Sequence, residues 1–353
     1  MSRPTLKDIA SRAGVSISTV SYALNDKSNL PLAEATKTRI RTIAHELGYV
    51  PNGLARSLQA RSNRTIGVLL NKPLTTPRYA EIAQGLSEGL ARRGFHLALL
   101  HGDSAERCTD DARGGLLDGL VFIGHDDLDV PDELAVEVMA HRIPFVALDC
   151  GPAVTPGIWS SVDFDYAAGA EQLVQNLIGE GVSRILHLRP DVTSRADRTR
   201  NSAMEALARD NGLDLIVLST GVTDEVLARF DRDPGGNAGY AASVVGRLDA
   251  ARDWIDQEPE STAIVCSWGA DAEATYFWTV QHGPRVRVAA LAGGSLDPRL
   301  WPRLTYSRLP LSAAGEACAG LIIDASTAKD APTRVLLAPA LDTGASGTGA
   351  AGD

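Results

Sequence analysis

The chain has 353 residues, 44% of them hydrophobic, with 34 Lys/Arg against 44 Asp/Glu and a pI near 5.2. That length accommodates two or three domains with sizeable cores, and the composition is globular rather than fibrous or disordered. No run approaches the roughly 18 apolar residues of a membrane span, and the first residues lack the basic-then-apolar pattern of a signal peptide, so a cytoplasmic protein is expected.

Charge is unevenly spread. Residues 1–66 hold 10 Lys/Arg and 4 Asp/Glu, a net +6, while the rest of the chain carries a net −16. A basic front on an acidic body is the electrostatic footprint of a DNA-binding head.

In chain order, "TLKDIASRA" reads as a short helix. Thr5 caps it, Asp8 completes a capping box, and Leu6, Ile9, Ala10 and Ala13 form its apolar face. Gly14 supplies a tight turn, and Ser16 is a good N-cap for a second helix. In "ISTVSYAL" a step of about 100° per residue puts Val20, Ala23 and Leu24 on a buried stripe. Ile17, Ser18, Ser21 and Tyr22 then face the other way. Two short helices joined by a glycine turn make a helix-turn-helix. A third helix, "AEATKTRIRTIAHELGY", aligns Ile40, Ile43 and Leu47 and stops at Gly48, so three helices can close one small core. The competing reading is a helical pair with solvated lysines.

Beyond residue 65, "TIGVLL", "FHLALLHG", "GLVFIG" and "PFVALD" read as buried parallel strands, separated by helical patterns such as "YAEIAQGLSEGLARRG" and "DELAVEVMAHR". A second run begins near Ser161, with strands "SRILHLR", "LDLIVLS", "STAIVCS" and "VRVAALAG" and helices "AAGAEQLVQNLIGEG", "NSAMEALARDNG" and "ADAEATYFWTVQHG" between them. Alternating β and α predicts an α/β fold with two lobes of parallel sheet flanked by helices, and a ligand cleft beyond the carboxyl ends of the strands. The Gly/Ala-rich end, "DTGASGTGAAGD", is expected to be disordered. Cys108, Cys150, Cys266 and Cys318 lack metal-ligand spacing and read as buried free thiols. The seven histidines are scattered, with His101 nearest the expected cleft, and no phosphate loop, dinucleotide fingerprint, zinc-protease motif or nucleophile elbow is present. No catalytic role, cofactor or metal is expected.

"TLKDIASRAGVSISTVSYALN" followed by "IAHELGYVPNGLARSLQARSNRTIGVLL" resembles the LacI/GalR family of bacterial transcription regulators, closely over residues 5–70 and more loosely to about residue 340. "DGLVFIG", "IPFVALD", "VDFDYAAGAEQLV" and "LTYSRLP" are further marks in order. The resemblance implies a helix-turn-helix head (1–50), a hinge helix and linker (51–64), a two-lobed periplasmic-binding-protein-like core for effector binding and dimerisation (65–340) and a tail (341–353).

It also implies roles. Ile17, Ser18 and Tyr22 occupy the base-reading positions of the recognition helix, Ile17 suiting a thymine methyl. Thr5, Ser16, Thr19, Ser21 and Asn25 are expected to bind phosphates or cap helices. "PNGLARSLQ" resembles the hinge helix, with Asn52 as cap, Ala55 at the close approach of paired helices, Arg56 on the DNA backbone and Leu58 as the minor-groove wedge. Effector contacts are expected from Tyr79, Asp149, Arg200 and Trp268, with Arg195 and Arg198 as rivals of Arg200. Two departures stand out: Ser267-Trp268-Gly269 replaces the family's common Asn-Asp, and Gly293-Gly294 replaces an acidic pair, which puts an ordinary sugar pocket in doubt. The resulting expectation is a homodimeric repressor on a palindromic operator, controlled by a small ligand, sugar-like or not, without the extra tail helix that makes tetramers. The alternatives are a cytoplasmic sugar-binding protein with a vestigial head and an enzyme on a similar core.

Overall fold

A computed structural model describes residues 4–24, 32–49, 62–70, 72, 74, 76–101, 105–124, 129–151, 157–192, 194–230, 236–282, 285–293, 304–327 and 331–343. The chain divides into two compact units, Met1–Asn63 and Arg64–Asp353.

The first unit contains α1 (Leu6–Ala13), α2 (Ile17–Leu24) and α3 (Glu34–Glu46). The capping box at its start is complete. Asp8 N donates to Thr5 Oγ1 at 3.4 Å, and Thr5 N donates to Asp8 Oδ2 at 2.8 Å. The Thr5 hydroxyl, donating to Asp8 Oδ2 at 2.7 Å, and the Thr5 N–H together hold the Asp8 carboxyl below its ordinary pKa. Gly14 closes α1 at φ +66°, a left-handed conformation that glycine adopts without a Cβ penalty. Ser16 Oγ accepts from Thr19 N at 3.1 Å, as an N-cap should. The predicted stripes meet: Ile9, Val20 and Ile40 are fully buried, with Ala10, Ala13, Ala23 and Ala44 filling the gaps between helices. Each of the three large side chains contributes about 2 kcal/mol by leaving water. Arg39 also reaches across to the Ala13 carbonyl at 2.9 Å, satisfying an acceptor at the end of α1.

The second unit holds two six-stranded sheets. In sequence order its elements are β1 (Thr65–Leu70), α4 (Pro77–Arg92), β2 (His96–His101), α5 (Ala105–Arg113), β3 (Gly119–Ile123), α6 (Asp132–His141), β4 (Phe145–Leu148), β5 (Ser160–Phe164), α7 (Tyr166–Gly179), β6 (Arg184–Asp191), α8 (Arg195–Asn211) and β7 (Asp214–Thr223). Then follow α9 (Asp224–Phe230), α10 (Gly236–Ala250), α11 (Arg252–Ile255), β8 (Thr262–Cys266), α12 (Gly269–His282), β9 (Arg287–Ala290), β10 (Leu304–Arg308), α13 (Leu311–Ser326), β11 (Arg334–Leu337) and β12 (Ala340–Asp342). The sheet orders are β11-β5-β4-β3-β1-β2 and β12-β10-β9-β8-β6-β7, so the two lobes repeat one topology. Every pairing is parallel except β10 with β12, an antiparallel edge. Alternation places Ile66, Val68 and Leu70 under one layer of helices and Leu69 under the other.

Three findings differ from the sequence reading. β5 belongs to the first lobe, not the second, because it pairs with β4. The first lobe is completed only near the chain's end, where α13 packs on α4 and β11 pairs with β5. Leu341 and Asp342, the first two residues of the expected tail, lie in β12, where Asp342 accepts from the Tyr306 hydroxyl at 3.3 Å. The chain therefore crosses between lobes three times. The α4–α13 contact is backbone-close at its two glycines. A Cβ at Gly85 would lie 2.0 Å from Ser312 O, and one at Gly315 would lie 2.2 Å from Ile82 O. All four cysteines are buried thiols outside any disulfide.

Candidate functional site

Two surfaces carry chemistry, one on each unit. On the head, the second helix turns Val20 and Ala23 inward and leaves Ile17 49% and Tyr22 42% exposed, with Ser18 exposed between them. Large apolar and aromatic groups on a water-facing helix are informative when they line up, and these sit at i, i+1 and i+5 on one face. Ser21 and Thr19 are half-buried, and Thr19 Oγ1 lies 2.8 Å from Ser16 Oγ, so this pair is engaged in capping. Thr5 is exposed within its capping box. Asn25, Asn52, Ala55, Arg56 and Leu58 lie outside the described residues.

On the core, the carboxyl ends of the strands face the interlobe cleft. Asp149 follows β4 at φ +58°, a left-handed conformation that aspartate tolerates better than bulky residues do, and is 1% exposed. Its carboxylate collects three donors from three helix N-termini. Arg78, in the first turn of α4, donates to Oδ2. Tyr166, the first residue of α7, donates its hydroxyl to Oδ1 at 2.9 Å. Arg195, the first residue of α8, donates to Oδ1 at 2.9 Å. Arg195 belongs to the second lobe, so this ion pair spans the cleft. Positive helix ends and guanidinium groups together make the Asp149 position strongly anion-favouring.

Asp163 on β5 is equally engaged. Its Oδ1 accepts from Gly151 N at 2.9 Å and its Oδ2 from Arg334 Nε at 3.1 Å. In the second lobe, alternation along β6 sends His187 and Arg189 to one face, where Arg189 pairs with Asp197 of α8. Ser267 donates to Asp197 Oδ1 at 3.2 Å and lies 3.0 Å from His187 Nε2. Burial, reinforced by Arg189 and Arg200, lowers the His187 pKa to about 4, so the imidazole is neutral near pH 7. Burial raises the Asp197 carboxyl, with Arg189 opposing. Asp271 in the first turn of α12 is pushed up to about 7 by burial, although the Tyr240 hydroxyl donates to it at 2.5 Å.

The expected effector residues are dispersed within this region. Arg200 is 2% exposed, and its guanidinium carbon stands 4.6 Å from the centre of the Tyr166 ring, a cation–π contact. Arg200 and Asp149 thus meet through Tyr166, while Arg195 makes the direct contact to Asp149. Trp268 is half-buried and stacks on Tyr240 with centroids 6.4 Å apart. Tyr79, in the first turn of α4, is buried in the core of the first lobe. Arg78, Asp163, Tyr166, Arg189 and Asp197 were not among the expected residues. The available signal was positional: each lies within two residues of a strand's carboxyl end or in a first helical turn.

Residues 5–52 match the family model of bacterial regulatory proteins of the lacI family. Residues 63–225 match the model of periplasmic binding proteins and the sugar-binding domain of the LacI family. The chain is 31% identical over 266 residues to the HTH-type transcriptional regulator CelR of Thermobifida fusca, covering 71% of this chain and 76% of that one. It is 26% identical to the HTH-type transcriptional repressor PurR of Photobacterium profundum over 94% of each chain. A solved lac repressor bound to ONPG in the repressed state shares the fold with a TM-score of 0.70 at 19% identity, covering 97% of this chain and 98% of that one. The chain belongs to the LacI family of bacterial regulatory proteins and is a DNA-binding transcriptional regulator.

Proposed function

We propose that the protein is a homodimeric repressor that reads a palindromic operator and releases or grips it according to a small ligand held in the interlobe cleft. The observation that carries the DNA half is α2: one face closes the head's core, and the other offers Ile17, Ser18 and Tyr22 to a major groove. Thr5, Ser16, Thr19, Ser21 and Asn25 position the head by caps and phosphate contacts. Residues 51–64 are the hinge, in which Asn52 caps, Ala55 allows close pairing, Arg56 faces phosphate and Leu58 wedges a base step. Residues 1–50 are the head, and the core runs from 65 through the end of β12 at Asp342, ahead of the tail.

The ligand half rests on Asp149, Arg195 and Arg200 at the lobe junction, with Tyr79 and Trp268 as neighbouring aromatics. A ligand that favours one interlobe angle would shift the hinge pairing and so the DNA affinity. Dimerisation is supported by exposed apolar side chains on the outer strands of both sheets, Leu99 on β2 and Val217 on β7, and by exposed Phe277 and Val280 on α12. Among the described residues no helix is long and apolar enough to cross a membrane, in keeping with a cytoplasmic regulator.

The test is a gel shift of the whole chain on DNA from upstream of its own coding sequence, repeated at rising salt. Specific binding that falls steeply between about 50 and 200 mM salt is expected, since each neutralised phosphate releases counterions. No binding, or binding indifferent to salt, would remove DNA as the partner.

A further inference from the structure

The two lobes are joined by contacts that the chain makes with itself, and one side chain carries most of them. Arg195 opens α8, a helix of the second lobe, yet its guanidinium lies on the first lobe. There Nη2 donates to Asp149 Oδ1 at 2.9 Å and stands 3.7 Å from Asp163 Oδ1. The first lobe is shaped to receive it. Gly151, at φ +77°, leaves space for the arginine stem: a Cβ there would lie 3.2 Å from both Cδ and Nε of Arg195. The Gly151 N–H donates to Asp163 Oδ1 at 2.9 Å, so one carboxylate oxygen both holds this loop and faces the arginine. Tyr166 flanks the seat, its ring centre 5.8 Å from the Arg195 guanidinium carbon. The next residue, Ala196, is fully buried in the core cluster of the first lobe. α8 therefore enters the first lobe with two consecutive residues, one charged and one apolar.

The seat does not depend on the arginine for its charge balance. Arg78 pairs with Asp149 and Arg334 with Asp163, and both of these cations belong to the first lobe. Each carboxylate thus keeps a counter-charge of its own lobe when Arg195 leaves. Arg195 itself is 25% exposed, so its charge has water to return to. Breaking a buried ion pair is severe when it strands a charge in the interior, and here neither side is stranded. A charge-assisted bond is strong enough to favour one arrangement, and this one can be released without unfolding either lobe. We propose that Arg195 is an interlobe catch: seated among Asp149, Asp163 and Gly151, it holds the lobes together through the chain's own contacts, so that closure needs no ligand and release of Arg195 opens the cleft. Hinge closure around a ligand is a common device. A built-in catch shifts that two-state balance before any ligand arrives, and a ligand then acts only through its different affinity for the two states. The proposal rests on the interlobe movement put forward above and not on the recognition of DNA.

The test is the distance between lobes in the full chain, measured by double electron–electron resonance after dialysis to remove small molecules. Spin labels go on Glu133→Cys of α6 and Glu273→Cys of α12, both exposed positions, while the four native cysteines are buried. Labelled chain is diluted into an excess of unlabelled chain, so that each measured pair lies within one molecule. The labelled parent should show a single short distance, that of closed lobes. Arg195→Gln should add a longer one and raise the open-to-closed ratio about tenfold, the scale of one hydrogen bond to a charged group. Arg195→Lys, which keeps the charge, should fall between the two. A parent already dominated by the longer distance, or an unchanged distribution in an Arg195→Gln that circular dichroism shows to be folded, overturns the catch. If Arg195→Gln does not fold, the parent and Arg195→Lys decide: a short distance in the first with a longer one added in the second supports the catch, and identical distributions overturn it. Operator affinity of Arg195→Gln separates this proposal from the one it rests on. An added longer distance with unaltered DNA affinity keeps the catch and removes the coupling of the lobes to DNA.

Discussion

The head and the cleft put their chemistry in opposite places. On the head, structural work is done by one set of residues and the proposed contact work by another: Thr5, Asp8, Ser16, Ile9, Val20 and Ile40 hold the fold, while Ile17, Ser18 and Tyr22 are exposed on the outer face of α2. In the cleft one set does both. Asp149, Arg195, Tyr166 and Arg200 bind one another across the lobes at the site proposed for the ligand. A DNA-reading surface can therefore change its side chains with little cost to its scaffold, whereas a change in the cleft touches stability and ligand response together.

The largest effect expected from this contrast is at Asp149. Asp149→Asn keeps the side-chain shape and tolerates the left-handed backbone but removes the counter-charge that Arg78 and Arg195 share, leaving Arg195 only the longer 3.7 Å contact to Asp163 Oδ1 among the ion pairs it makes here. Removing one partner of a buried pair should cost about 3 kcal/mol. The exposed head pair Arg12–Glu46, 3.0 Å apart, is the control, and Glu46→Gln should cost well under ~1 kcal/mol. Urea unfolding followed by tryptophan fluorescence reads the core alone, since all five tryptophans, beginning with Trp159, follow the head in sequence. Circular dichroism reads both units. Equal losses in the two variants would break the contrast.

A smaller effect concerns pH. The Asp271 carboxyl is pushed from 3.8 up to about 7 by burial, so between those values the folded chain keeps a proton that the unfolded chain has released. Its contribution to stability is present below about pH 4 and lost as pH rises to about 7, on the order of 2 kcal/mol between pH 5 and 7. His187, lowered from 6.5 to about 4, acts with the opposite sign: its contribution is present above 6.5 and lost as pH falls toward 4. Because the two slopes oppose, Asp271→Asn should gain stability relative to wild type as pH rises from 5 to 7, measured as the difference in urea midpoints. A difference that stays flat over that range would mean that Asp271 is ionised throughout.

The same contrast explains what was legible in the sequence. Head signals are local: the capping box runs from Thr5 to Asp8, the Val20–Ala23 stripe repeats every turn, and Gly14 marks the bend between α1 and α2. Most strands of the core were legible too, because buried runs such as Thr65–Leu70 are unmistakable. The lobe membership of β5 was not, since a chain crossing between sheets at Asp165 looks like any other loop. Nor was the cleft's wiring. Asp149 meets Arg78 across 71 positions and Arg195 across 46, contacts that only the crossovers create. Arg195 and Arg200 were rivals in sequence for a geometric reason: five residues apart on α8 they point about 140° apart. One reaches the carboxylate and the other the underside of Tyr166, so both belong to the site.

The most direct test of the DNA-reading assignment is selection of binding sites from a random duplex pool by the whole chain, run in parallel for wild type and Tyr22→Ala. Wild type should enrich an inverted repeat. Tyr22→Ala, whose side chain lies outside the head's core, should enrich a repeat with altered bases at one position of each half-site while its salt dependence stays the same. Identical selected sequences for the two proteins, or no inverted repeat from wild type, would contradict the assignment of α2 as the helix that reads DNA.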